Sequence, residues 1–174
     1  MTLRNVFLIG MPATGKSTIG RMLSKLLQYP FYDTDQEIES RSGATVSWIF
    51  DVEGEAGFRA REESVLADLT QRSGVVVATG GGVVLRASNR RMLSSCGQVV
   101  LLDSTDQRIH ARTINDTRRP LLAGAEGAAR IAALRRERLP LYQEIADFTF
   151  VTDQQPARSV ARNIVEALSQ GVAP

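Results

Sequence analysis

The chain has 174 residues, of which 43% are hydrophobic and 23% are charged, and its formal net charge at pH 7 is +2. These values indicate one globular domain with a full hydrophobic core, and so small a net charge gives no reason to expect a polyanion as partner. A single cysteine, Cys96, excludes an internal disulfide and fits a reducing compartment.

The first predicted unit is a strand, a glycine-containing loop and a helix. Residues 6–9 form an apolar run typical of a buried strand, and apolar residues recur on one helical face over 16–27. Between them the phosphate-loop pattern G-x-x-x-x-G-K-S/T is matched by Gly10, Gly15, Lys16 and Ser17. Glycines let backbone N–H groups point at phosphate oxygens, and the helix N-terminus adds a positive dipole. We expect Lys16 to reach the β- and γ-phosphates and the Ser17 hydroxyl to ligate Mg²⁺.

The rest of the chain alternates short apolar strands with helices. The predicted elements are, in chain order, a strand at 31–33, a polar helix at 36–41, a short helix capped by Thr45 and interrupted by Gly54 and Gly57, a helix at 58–71, a strand at 75–78, a helix at 87–93, a strand at 99–102, a helix ending near 112, an Arg- and Ala-rich helix ending near 138–140, a strand at 148–151 and a helix opened by Pro156. This alternation predicts an α/β fold, with a five-stranded parallel sheet and helices on both faces. Ligands of such sheets bind at the carboxyl ends of the strands.

Two carboxylates, Asp33 and Asp35, follow the second predicted strand. In extended chain, residues two apart project to the same side, and that edge of the sheet adjoins the phosphate loop if the second strand lies next to the first strand or one strand away from it. One could hold Mg²⁺ through its waters, and the other could accept the proton of an attacking hydroxyl. The alternative is that Asp35 caps the next helix and that Asp33 is a solvated strand end.

Three consecutive glycines and two arginines are further candidates for binding a substrate. Gly80, Gly81 and Gly82 directly follow a buried strand, and their exposed backbone favours hydrogen bonds from main-chain N–H groups to a substrate, with a flexible connector as the alternative. Arg59 and Arg138 each lie at a predicted helix end. If they converge they could bind one carboxylate through their guanidinium forks, and otherwise each is a surface arginine.

The irregular segment 113–127 is long enough to be a lid, and its Arg119 could fold over the γ-phosphate or be solvated in a mobile loop. Asp103 ends a strand that resembles a Walker B strand, whose Asp would hold Mg²⁺, but a helix-cap role is at least as well supported, because Ser104 and Thr105 follow at once. Trp48 and His110 are expected to be packing or surface residues, although Trp48 could line a pocket.

With these motifs in place, the chain resembles the shikimate kinase family over nearly all of its length. The resemblance rests on Gly-Met-Pro-Ala-Thr-Gly-Lys-Ser-Thr-Ile-Gly at 10–20, Phe-Tyr-Asp-Thr-Asp at 31–35, Phe-Arg-x-x-Glu at 58–62, Gly-Gly-Gly at 80–82, Arg-Pro-Leu-Leu at 119–122 and Arg-x-Pro-Leu-Tyr at 138–142. One difference lies inside the loop, where Ala13-Thr14 stands in place of the Gly-Ala often found in the family.

The resemblance implies a P-loop kinase fold and phosphorylation of the 3-hydroxyl of shikimate by ATP, a step toward chorismate and the aromatic amino acids. It implies that Asp35 contacts the reacting hydroxyl as base and that Asp33 holds Mg²⁺ through water beside Ser17. It also implies that Lys16 and Arg119 stabilise the transferring phosphoryl group.

For substrate binding, the resemblance implies that Arg59 and Arg138 clamp the shikimate carboxylate and that the main chain of Gly80, Gly81 and Gly82 bonds the ligand. The residues implied to bind ATP are Ala13, Thr14, Gly15, Lys16, Ser17, Thr18, Arg112, Arg119 and Gln155, with Arg112 and Gln155 flanking adenine. The implied organisation is one domain, with a substrate-binding segment near 33–61 and a lid near 113–125.

We expect a monomer whose partners are ATP and shikimate, with no nucleic acid and no membrane. Only four strongly apolar residues separate Arg4 from Gly10, too few for a signal-peptide core or a membrane span, so we expect a cytoplasmic protein. Two other functions stay open from the residues alone: a kinase for another polyol acid such as gluconate, and a nucleotide-dependent regulatory module without a small-molecule acceptor.

Overall fold

The computed structural model describes residues 4–117 and 122–170. The elements in chain order are β1 (Asn5–Ile9), α1 (Lys16–Leu27), β2 (Phe31–Asp33), α2 (Thr34–Ser42), α3 (Val46–Thr70), β3 (Val76–Ala78), a 3₁₀ turn (Val83–Leu85), α4 (Ala87–Cys96), β4 (Gly97–Asp103), α5 (Asp106–Thr113), α6 (Gly127–Ile145), β5 (Phe148–Val151) and α7 (Ala157–Gln170). Within these two ranges, no helix combines the length and the apolar character that crossing a bilayer requires.

The five strands form one parallel sheet in the order β2-β3-β1-β4-β5, which confirms the predicted sheet. Ala78 at the end of β3 pairs with both Leu8 of β1 and Asp33 of β2. The carboxyl ends of these three strands therefore meet at one edge. Asp33 lies one strand away from the loop that follows β1, as the sequence reading allowed.

The core has two layers, one on each face of the sheet. Phe7 and Ile9 of β1 point into a large cluster that includes residues of α3, α4 and α6. Val6 and Leu8 point the other way, into a cluster formed with α1 and α7. This alternation follows from the period of two in a strand, and it explains why β1 is apolar throughout.

Helix α2 begins two residues earlier than predicted. Asp33 is its N-cap and accepts hydrogen bonds from the backbone N–H groups of Asp35 at 3.0 Å and Gln36 at 3.3 Å. The expectation that Asp33 and Asp35 project together from extended chain is wrong, because an aspartate at a strand end readily caps a helix. The alternative that Asp35 is the cap is also wrong, since Asp35 lies in the first turn.

Two other predicted helix boundaries differ from the structure. Gly54 breaks α3, with φ 73° and ψ 178°, but Gly57 does not interrupt it. Helix α6 runs through Pro140 to Ile145 instead of ending near 138–140. An interior proline removes one N–H and crowds the carbonyl one turn earlier, but the turn beyond Pro140 is held by the packing of Tyr142 and Ile145 in the core.

Candidate active site

The phosphate loop (residues 10–17) wraps around the side chain of Lys16. The Lys16 Nζ donates to the carbonyl oxygens of Gly10 at 2.8 Å and Met11 at 2.7 Å, and the Lys16 side chain is buried. Gly10 has φ 144°, and a Cβ there would lie 2.2 Å from the carbonyl oxygen of Leu102, so only glycine fits. Because α1 begins at Lys16, the N-terminus of the helix, which is the positive end of its dipole, directly follows the loop.

Ser17 and Asp33 meet at the edge of this loop. The Ser17 hydroxyl donates to Asp33 Oδ2 at 2.5 Å, while Oδ1 is held by the N-terminal N–H groups of α2. A hydroxyl and a carboxylate oxygen are ligands that suit Mg²⁺. No group of three or more His, Cys, Asp or Glu side chains converges as a metal site within 4–117 and 122–170. An ion held here by these two residues would keep several waters or phosphate oxygens, as Mg²⁺ commonly does.

Two carboxylates border Gly80. A Cβ on Gly80 would lie 3.0 Å from Asp35 Oδ1 and 3.0 Å from Glu62 Oε1. The Gly80 N–H already donates to the Thr34 hydroxyl at 3.0 Å, which fixes the glycine turn (residues 80–82) against α2. Burial is the largest cause that raises the pKa of Glu62, and it outweighs the opposing effect of Arg59.

The same turn brings the two predicted clamp arginines together. Arg59 Nη1 donates to the buried Glu62 Oε2 at 2.7 Å, and a Cβ on Gly82 would lie 2.1 Å from Arg59 Nη2. A Cβ on Gly81 would lie 3.3 Å from Arg138 Nη1. Two guanidinium groups from α3 and α6 thus border adjacent glycines, the arrangement that the sequence reading required for a shared carboxylate.

Two polar atoms at this place are buried without a hydrogen-bond partner in the part of the chain that the structure describes: Glu62 Oε1 and Arg138 Nε. Buried polar atoms are normally paired, so an orphaned acceptor and an orphaned donor beside the same turn indicate a place for a polar ligand.

Glu62 and Tyr142 each end a motif that carries the resemblance, but neither residue was assigned a role from the sequence. Tyr142 is fully buried and its hydroxyl donates to the Gly81 carbonyl, and burial raises the pKa of this phenol. Helical spacing could have identified both residues, because Glu62 follows Arg59 by three positions and Tyr142 follows Arg138 by four.

A cleft of about 340 Å³ opens on the other side of the phosphate loop. It is lined by Ala13, Thr14, Gly15, Thr18, Ile19, Arg112, Asp116, Thr152, Gln155, Ala157 and Val160. Arg112 Nη1 donates to the Ala13 carbonyl at 2.9 Å, and Gln155 Oε1 accepts from Asn163 Nδ2 at 3.0 Å. The two residues predicted to flank adenine therefore line one cleft that is continuous with the phosphate loop.

The remaining predicted residues lie elsewhere. Asp103 accepts from Arg135 Nη1 at 2.9 Å and does not cap α5, whose N-cap is Thr105. Trp48 is 51% exposed, and His110 Nε2 lies 3.3 Å from the Gly124 carbonyl oxygen. Arg119, with its neighbours Arg118 and Pro120, lies outside the described residues, so its role stays a prediction.

Comparison with known proteins identifies a family whose members are similar to this chain. The family model described as "Shikimate kinase" matches residues 12–169. Shikimate kinase of Legionella pneumophila is 50% identical over 166 residues, which is 95% of each chain, and that of Pseudoalteromonas atlantica is 52% identical over 167 residues, which is 96% of this chain and 98% of the other. The structure of Acinetobacter baumannii shikimate kinase in complex with shikimate superposes with a TM-score of 0.95 at 42% identity, covering 99% of this chain and 97% of the other.

Proposed function

The chain belongs to the shikimate kinase family, and we propose which of its residues carry out each part of the family's reaction. This reaction is the ATP-dependent phosphorylation of shikimate at the 3-hydroxyl. The products are shikimate 3-phosphate and ADP, in the pathway to chorismate and the aromatic amino acids. The observation that carries the assignment is that Asp35, Arg59 and Arg138 all border the glycine turn, next to the phosphate loop.

Arg59 and Arg138 bind the shikimate carboxylate. Both are cationic forks with several N–H donors, and a planar carboxylate can accept two hydrogen bonds from each. Glu62 holds Arg59 Nη1 at 2.7 Å, whereas the exposed Glu55 accepts from Arg59 Nε and Nη2 only at 3.4 and 3.5 Å, long contacts that a bound carboxylate could replace. The buried Arg138 Nε, which has no hydrogen-bond partner among the described residues, would donate to a bound carboxylate. Because the Gly80 N–H is used by Thr34, the N–H groups of Gly81 and Gly82 are the better candidates for bonding the substrate.

Asp35 accepts and orients the reacting hydroxyl. Its Oδ1 lies beside Gly80, in the first turn of α2, and Asp33 at the cap of the same helix contacts Ser17 of the phosphate loop. A carboxylate in this place can direct a hydroxyl in line with the γ-phosphate and take its proton as the phosphoryl group transfers.

The phosphates of ATP lie in the phosphate loop, held by the backbone from Ala13 to Thr18 and by Lys16, with adenine in the 340 Å³ cleft between Arg112 and Gln155. Lys16 Nζ would exchange its loop carbonyl partners for β- and γ-phosphate oxygens. Ser17 and Asp33 would hold Mg²⁺, directly and through water, and the ion would neutralise charge on those phosphates when bound. Arg119 completes this set as a lid residue.

We extend the proposal to the organisation of the protein. It is a single domain that acts as a cytoplasmic monomer, with a substrate-binding segment at 33–61, a lid at 113–125, and neither nucleic acid nor membrane as partner. The lid excludes water from the γ-phosphate, since an open site would hydrolyse ATP.

The experiment is a coupled assay of ADP release with ATP alone, with ATP and shikimate, and with ATP and gluconate. We expect shikimate to stimulate ADP release far above the other two reactions. Stimulation by gluconate alone would support the polyol-acid alternative, and ATP binding without stimulation by either acid would support the regulatory module.

A further inference from the structure

Arg135 of α6 binds three groups at the junction of β4 and α5, residues 103–106, which we call the β4–α5 loop. Its Nη1 donates to Asp103 Oδ1 at 2.9 Å, its Nε to Asp106 Oδ1 at 2.5 Å, and its Nη2 to the Ser104 carbonyl. The side chain is 19% exposed, so it is not a freely solvated surface cation. A lysine could not reproduce this pattern, because only the guanidinium group presents donors in a fixed fork.

The loop that Arg135 holds is bonded in turn to the wall of the cleft. Asp153, which follows β5, accepts hydrogen bonds from the Ser104 hydroxyl and from the Thr105 N–H at 2.8 Å. The Thr152 N–H donates to the Asp103 carbonyl at 2.9 Å. Thr152 lines the cleft, as does Gln155 three residues later. A nucleotide in the cleft would therefore contact residues 152–155. This segment is hydrogen-bonded to the β4–α5 loop, and Arg135 is hydrogen-bonded to the same loop.

On its own helix, Arg135 lies one turn before the proposed clamp residue Arg138. Tyr142 lies one turn beyond Arg138, and its hydroxyl donates to the Gly81 carbonyl. The spacing of three and then four residues places all three side chains on one face of α6. The face that carries Arg138 is thus tied to the β4–α5 loop on one side and to the glycine turn on the other.

We propose that Arg135 is a positioning residue that links the nucleotide cleft to Arg138. Nucleotide bound against Thr152 and Gln155 restrains the β4–α5 loop through these hydrogen bonds, and Arg135 passes this restraint to the part of α6 that presents Arg138 to the shikimate carboxylate. Bound nucleotide then raises the affinity for shikimate, and linkage requires the reverse effect to be equal. The inference rests on the proposed role of Arg138.

The test is the dissociation constant of shikimate, measured by titration calorimetry without nucleotide and with saturating ADP. The ratio of the two constants is the coupling factor, which is about 5 to 150 where two sites are coupled. We expect a factor in this range for the unaltered protein and a factor near 1 for Arg135→Met, which keeps most of the side-chain stem. The matched control is Arg136→Met, which removes the same charge from an exposed neighbour on the same helix and should keep the factor.

Two further variants make the result decisive. Arg135→Lys keeps the charge and loses the fork, so it should also lower the factor, and it replaces Arg135→Met if that variant unfolds at a lower temperature. Arg138→Ala should weaken shikimate binding without nucleotide; no weakening there would contradict the proposed clamp. Normal coupling in both Arg135 variants, or none in the unaltered protein, would overturn the role of Arg135 while leaving the clamp intact.

Discussion

Glu62 is the residue that most constrains the chemistry around it. It is fully buried, one of its oxygens accepts from Arg59 at 2.7 Å, and the other faces Gly80 beside Asp35. A buried carboxylate is costly unless it is paired. Here the pairing fixes the orientation of Arg59, and burial keeps the pKa of the carboxyl raised. We therefore interpret Glu62 as the group that holds Arg59 ready for a ligand.

Replacing Glu62 with Gln should reveal this raised pKa in the stability of the protein. The folded state holds the Glu62 proton more tightly than the unfolded state, whose pKa is near 4.5. The stabilising effect of that proton is complete below pH 4.5 and is lost as the pH rises through the higher folded value. The free energy of unfolding of the unaltered protein, minus that of Glu62→Gln, should therefore fall with rising pH, by up to about 1.4 kcal/mol per pH unit.

Denaturant unfolding of both proteins between about pH 4.5 and pH 8 measures this difference. A difference that grew with pH would contradict the assignment, because it would mean that Arg59 lowers the pKa more than burial raises it.

Asp35→Asn should separate catalysis from binding. The amide keeps the size of the side chain but cannot accept the hydroxyl proton, so we expect turnover to fall by about 10² or more while ATP binding persists. The measurement is kcat from shikimate-dependent ADP release, with ATP affinity measured separately. Asp51→Asn, which removes an exposed carboxylate from α3, is the charge-matched control. Near-normal turnover in Asp35→Asn would refute the role of Asp35.

At the scale of elements, the sequence predicted the phosphate loop and all five strands, because strand–glycine–helix spacing and short apolar runs are local signals. It did not predict that Asp33 caps α2 or that α6 continues through Pro140. Both depend on competition between local preferences and packing: Asp33 can end a strand or cap a helix, and Pro140 is tolerated because Tyr142 is fixed in the core.

The site could be predicted as a set of residues but not as an arrangement. The order β2-β3-β1-β4-β5, which puts Asp33 one strand from the phosphate loop, depends on long-range pairing that no local pattern specifies. The fit of the third glycine against Arg59 likewise appears only once α3 and the glycine turn are packed together.

In the glycine turn, a methyl group should be tolerated less well at Gly82 than at Gly81. Gly82→Ala would place its Cβ 2.1 Å from Arg59 Nη2 and displace that guanidinium, whereas Gly81→Ala meets its nearest atom, Pro12 Cδ, at 3.1 Å. We expect Gly82→Ala to raise the KM for shikimate by about tenfold or more, because a misplaced group at a site is costly. The KM for ATP should change little, and Gly81→Ala should have the smaller effect. Equal effects on both substrates would contradict a local clash with Arg59.

At the scale of the whole molecule, the sheet brings the residues of the proposed site together. The proposed groups come from residues that range from Gly10 to Gln155, and the carboxyl ends of β1, β2 and β3 gather most of them at one edge. One part of this edge presents the phosphate loop and its cleft, and the other presents Arg59, Arg138 and Asp35. Two ligands can thus meet there, a triphosphate on the loop and a carboxylic acid at the glycine turn.

The central claim is that Arg59 and Arg138 recognise the carboxylate of shikimate, and comparing shikimate with its methyl ester tests it most directly. The ester keeps the ring and hydroxyls but loses the charge that the clamp binds. Measured as kcat/KM, the unaltered protein should prefer shikimate by at least about 30-fold, since an unpaired buried charge costs about 2 kcal/mol or more. In Arg138→Ala, and likewise in Arg59→Ala, most of this preference should disappear. The same preference in the unaltered protein and in both variants would contradict the clamp.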